Sequence, residues 1–164
     1  MRVEKVIVYR IVPFDLDVKI GESAQSTKWR VIKDYKLQLE KTLEKHRPKE
    51  FPPRKKCLFV CFSKENAYEW AYIKYGKRNT PYKLLTIQID GDLYWLKSDS
   101  YNFLNEYSTQ QEFDQASVEY WNSLIENERL LPLDKGYEGL FVGKNKIIAI
   151  ENKNYIDGES FDVE

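Results

Sequence analysis

The chain has 164 residues, 42 % hydrophobic and 32 % charged, a balance that describes one globular domain with a real core and not a disordered segment. Lys plus Arg and Asp plus Glu number 26 each, so the formal net charge is zero. That argues against a dedicated basic nucleic-acid binder, and no apolar run has the length needed to span a bilayer.

Val3 to Val12 is β-rich and stopped by Pro13, which reads as a first strand. Side chains alternate across a strand, so Arg10 shares a face with Val6, Val8 and Val12, and an arginine on an apolar face needs a partner. Residues 13–27 read as a loop. Lys28 to His46 reads as a helix, with Ile32, Tyr35, Leu39, Thr42 or Leu43, and His46 at helical spacing and Glu40 and Glu44 on a solvated side. The segment Arg47 to Lys56, with three prolines and five basic residues, reads as a stiff exposed connector that could touch phosphates.

Cys57 to Ser63 is a continuous apolar run, a strand buried on both faces. Its two cysteines, the only ones in the chain, stand about 13 Å apart along an extended strand, too far for a disulfide. With a single histidine in the chain, a metal site is not expected. Ser63 is a good N-cap for a helix over Lys64 to Gly76. Tyr82 to Asp90 reads as a third strand with Leu85, Ile87 and Ile89 on one face, followed by an Asp90-Gly91-Asp92 turn and a short apolar segment, Leu93 to Leu96. Ser108 or Thr109 caps the next helix, with Glu112 at the spacing of a capping box from Thr109, and Phe113, Ala116, Tyr120 and Leu124 follow on one face. Pro132 and Gly136 punctuate the approach to Lys135 to Ile150, which reads as two short strands around a Gly143-Lys144-Asn145 turn, with Glu138 alone between two glycines. The expected organisation is a single α+β domain over 1–156 and a frayed acidic tail over 157–164.

Tyr9-Arg10 on the first strand, Leu58 to Ser63 leading into the Ala67…Trp70-Ala71 helix, Ala116…Tyr120-Trp121, and Glu138-Gly139-Leu140-Phe141-Val142-Gly143 together resemble the ADP-ribosyltransferase-like fold, as found in small bacterial and phage members. The resemblance spans nearly the whole chain in element order. It implies two small sheets forming a central cleft with flanking helices, and NAD as co-substrate. It assigns catalytic roles to Glu138, Arg10 and Ser63: Arg10 on a ribose or phosphate of NAD, Ser63 orienting ribose and glutamate, and Glu138 on the nicotinamide ribose. Tyr68, Tyr72 or Tyr75 would wall the nicotinamide. A fixed carboxylate is the right group where positive charge develops on a sugar carbon, and an arginine fork suits diphosphate oxygens. Family members that modify arginine or asparagine carry Glu or Gln two residues before the catalytic glutamate. Gly136 stands there, leaving the acceptor unnamed among protein, nucleic acid and small molecules.

Three functions follow as expectations. The first is transfer of ADP-ribose from NAD. The second is a non-catalytic binding or inhibitor protein on the same fold, suggested by Gly136 and by the incomplete serine motif Phe62-Ser63-Lys64. The third is a nucleic-acid-binding module using residues 47–56. The charged N-terminus, unlike a signal peptide, and the free thiols place the protein in the cytoplasm, or in the host cytoplasm if it is phage-encoded.

Overall fold

The computed structural model describes residues 1–24, 35–75, 80–125, 136–156 and 159–162, with residues 155, 156 and 159–162 described by their backbone. Strand β1 (Arg2–Pro13) holds the expected alternation, with Val8, Arg10 and Val12 buried on one face. Helix α1 (Tyr35–Lys45) buries Leu39, Thr42 and Leu43. The first part of the expected helix, from Lys28, lies outside the described residues, as do Gly76, Pro132 and Lys135. After a single 3-10 turn (Arg54–Lys56), strand β2 is short (Leu58–Val60) and helix α2 runs over Lys64–Tyr75. Helices α3 (Asp99–Asn102) and α4 (Gln110–Asn122) separate β3 (Tyr82–Lys97) from β4 (Tyr137–Ile156). The capping box opens α4 as expected: the Glu112 amide donates to Thr109 Oγ1 at 3.2 Å and the Thr109 amide donates to Glu112 Oε1 at 2.9 Å.

The strands form one antiparallel sheet in the order β1-β3-β4-β2, so the α+β class stands and the expected pair of sheets does not. The reason lies in β3 and β4. Both expected turns inside them are extended backbone, and the two strands pair along their whole length from Tyr82↔Lys153 to Lys97↔Tyr137. Gly91 stands opposite Gly143. A Cβ on Gly91 would collide with the carbonyl oxygen of Val142 and lie 2.8 Å from the Gly143 Cα, so these glycines let the two backbones close up instead of reversing the chain. Asn145 does not turn the chain either. Its side chain pairs with the backbone of Ala24 and fastens residues 21–24 against β4. The segment read as an acidic tail contains β5 (Glu159–Asp162), which pairs with Lys153–Ile156.

The sheet curls until its first and last strands meet. Tyr9 and Cys61 exchange two backbone hydrogen bonds, 2.9 and 2.7 Å, joining the end of β2 to β1. One face then closes on itself as a core of Val8, Val12, Val60, Ile87, Leu93, Trp95 and Phe141, the inner face. The outer face carries two separate helical layers. Helices α1 and α4 cover Leu96 and Leu140, while α2 sets Ala67, Ala71 and Tyr75 on Cys61, Tyr82 and Leu84. Among the described residues no helix is long and apolar enough to cross a membrane.

Candidate functional site

Glu138 is the second residue of β4 and lies opposite Leu96 of β3, on the outer face with Leu140. It is 7 % exposed. A carboxylate there costs several kcal/mol unless it is paired and hydrogen-bonded, which dictates its surroundings. Arg54 supplies the charge: its Nη1 donates to Glu138 Oε1 at 2.5 Å. The hydroxyl of Tyr120 in α4 donates to the same oxygen at 2.6 Å, and the hydroxyl of Tyr101 in α3 donates to Oε2 at 3.0 Å. Arg54 in turn grips Glu40 of α1 with two bonds of 3.0 Å, from Nε and Nη2. Its guanidinium carbon stands 4.9 Å from the centre of the Phe59 ring and 5.0 Å from that of Tyr120.

The connector builds this contact. Pro52-Pro53 stiffens the approach, and the 3-10 turn is closed by the Lys56 amide on Pro53 O and the Cys57 amide on Arg54 O. The turn carries Arg54 inward just before the buried strand starts. The expectation of an exposed connector therefore fails at Arg54 and Phe51, which are buried because they fill the space between α1, α4 and the sheet. Arg47 binds Glu44 and the carbonyl of Phe51, leaving Lys49, Lys55 and Lys56 at the surface.

Burial alone would lower the pKa of Arg54, but Tyr120, Glu138, Tyr101 and Glu40 around it push it well above its ordinary value. Burial, with the Glu138 charge added, holds both tyrosine hydroxyls well above theirs, so they stay protonated and donate. Two carboxylates thus share one guanidinium.

A cleft of about 200 Å³ opens at the entry of β4, where Gly136 lies on the same face as Glu138. Trp70 and Ile73 of α2 form one wall, and Ser98, Asp99 and Asn102 the other. Ser98 fixes the floor, donating from its amide (2.7 Å) and its hydroxyl (2.8 Å) to the Gly136 carbonyl. Two larger depressions, of about 480 and 360 Å³, lie over α1 and beside the proline connector, and neither borders Gly136.

The described contacts of the residues expected to hold NAD are structural ones. Arg10 lies on the inner face, 7 % exposed, and donates from Nη1 to the carbonyl of Phe59 at 2.7 Å. Burial lowers its pKa. Ser63 accepts from the Asn66 amide at 3.0 Å and caps α2. Tyr75 is buried and stacked on Tyr82, with ring centres 5.5 Å apart. Tyr68 packs by the Lys153 ammonium at 5.7 Å, and Tyr72 is exposed. Among the described contacts of Glu138 neither Arg10 nor Ser63 appears. As a set these residues do not fit NAD, and the cleft beside Glu138 is smaller than the roughly 300–1,000 Å³ that takes a drug-sized ligand.

The sequence singles out Glu138 but not its partners Arg54, Tyr101 and Tyr120. Glu40 sits one position from the Leu39 face that α1 buries, and Arg54 only three residues before the buried Cys57. Those spacings were the available signals. Among the described residues there is no group of three or more His, Cys, Asp or Glu able to hold a metal ion.

A family model described as "Protein of unknown function (DUF2441)" matches residues 16–154. No curated protein matches the chain. The matched stretch includes Glu40, Arg54, Ser63, Gly136 and Glu138 and leaves out Arg10. Covering most of the chain, the match shows that this protein belongs to the DUF2441 family, a family of unknown function.

Proposed function

We propose that this chain works by binding and does not turn over NAD. One observation carries the reading: the Glu138 carboxylate, the residue to which the chemistry was assigned, is held by Arg54, Tyr101 and Tyr120 inside a buried network. Such a network orders three elements around the entry of β4. Arg10 and Ser63 have structural partners of their own, the Phe59 carbonyl and the first turn of α2. In this reading the chain follows an ADP-ribosyltransferase-like order of elements, and the cleft at Gly136 is the binding surface.

A second reading, transfer of ADP-ribose, is favoured by the two carboxylates, Glu40 and Glu138, gathered around Arg54 near that cleft. Fixed negative charge stabilises positive charge developing on a sugar carbon. One set of measurements separates the two. NAD is titrated calorimetrically into the wild type, nicotinamide release is followed, and both are repeated with Glu138→Gln alongside a thermal melt. The binding reading expects no heat and no nicotinamide from either protein. It also expects Glu138→Gln to cost about 3 kcal/mol, the cost of breaking a buried pair, and to lower Tm by about 6–12 °C. Nicotinamide release by the wild type that disappears in Glu138→Gln overturns the binding reading in favour of the transferase.

A further inference from the structure

The cleft at Gly136 has a chemical sign. Of its described lining residues, Asp99 offers an exposed carboxylate and none is basic. Two residues beyond Asp99, Tyr101 donates to the Glu138 carboxylate. Trp70 contributes an indole to the opposite wall. We propose that this cleft binds the flat cationic head of a small organic molecule, a guanidinium above all, between the Asp99 carboxylate and the Trp70 ring. The proposal rests on the binding reading and names the ligand class of that site.

The geometry is specific at Gly136. A Cβ built there would collide with the Asp99 carboxyl group, meeting Oδ1 at 2.5 Å. The missing side chain leaves room for the Asp99 carboxyl group to pack against Gly136 at the cleft floor. Asn102 donates to Asp99 Oδ1 at 3.2 Å and orients the group. A carboxylate accepts a guanidinium through two parallel hydrogen bonds, and the face of an indole attracts the same cation. Ser98, fully buried and bonded to the Gly136 carbonyl, ties the two sides of the floor together, so the acid is presented by a braced turn. A volume near 200 Å³ suits one such head group with part of its alkyl stem.

The test uses the full chain. N-acetylarginine amide and its neutral isostere N-acetylcitrulline amide are titrated by calorimetry into wild type, Asp99→Asn and Trp70→Leu, and NAD is titrated into the same samples. A capped Gly-Gly-Arg-Gly-Gly peptide forms a second arm. The expected result is binding of the arginine compound, weakened about tenfold by Asp99→Asn and about tenfold by loss of the ligand charge, with a smaller loss in Trp70→Leu. Asp99 is exposed, so Asp99→Asn keeps the wild-type melting temperature. A peptide that binds tighter than the amide supports the site and makes its ligand a side chain of another protein. Equal affinities support the site and make its ligand a free small molecule. Equal binding of citrulline and arginine compounds overturns the proposal, as does wild-type affinity in Asp99→Asn or no binding at about 50 mM. Loss of this proposal leaves the NAD result standing, and NAD turnover with intact arginine binding overturns the binding reading alone.

Discussion

At the scale of single residues, burial decides what each titratable group can do. Arg54 and Glu138 are tolerated inside because each answers the other, and Glu40, Tyr101 and Tyr120 satisfy their remaining donors and acceptors. The two cysteines show the opposite case. Burial pushes the Cys57 thiol up to about 11 and the Cys61 thiol up to about 12, so thiolate is nearly absent at neutral pH. A thiol reagent added to the folded protein at pH 7.5 is expected to label neither cysteine over an hour and to label both at once in urea. Rapid labelling of either without denaturant would remove desolvation as the controlling effect. The alternation that set Arg10 among valines was legible in the sequence, as was its need for a partner. That the partner is the Phe59 carbonyl was not, because β1 and β2 meet only when the sheet curls.

At the scale of elements, local signals located most of the structure. Ser63 opens α2, the Thr109–Glu112 box opens α4, and the apolar run after Lys56 is a buried strand, each written in adjacent residues. The glycines inside β3 and β4 misled for a physical reason. Asp90-Gly91-Asp92 and Gly143-Lys144-Asn145 carry turn chemistry, but glycine also marks close approach of two backbones, and only the partner strand tells which applies. Gly91→Ala is therefore expected to cost about 3 kcal/mol, since its Cβ meets backbone on the facing strand and its φ of +158° disfavours a side chain. Gly21→Ala, at φ +93° with open space around the added carbon, is expected to cost only about 1 kcal/mol. Urea midpoints for the two variants check this, and equal shifts would sink the close-approach account.

At the scale of the whole molecule, the outcome is one sheet bent through its two longest strands and joined at a single rung. The amides of Tyr9 and Cys61 make that junction, and their hydrogen exchange is expected to be as slow as that of the β3–β4 centre. Exchange at loop rates would mean the curl opens locally and the rung holds nothing. The same curl puts Arg10 and Glu138 on opposite faces, and it divides the outer face between α1 with α4 and α2, with the Gly136 cleft walled by α2 on one side and α3 on the other. By itself the sequence determined the α+β class, the starts of α2 and α4, the buried strand between the two cysteines and the singular position of Glu138. Those follow from periodicity and capping, which act over a few residues. Only the tertiary structure decided that there is one sheet, that Arg54 leaves the basic connector for the interior, and that Glu138 is met by Arg54 from 84 residues away. A buried charge is satisfied by whatever partners the fold brings to it, and nothing in the residues adjacent to Glu138 specifies which ones those are.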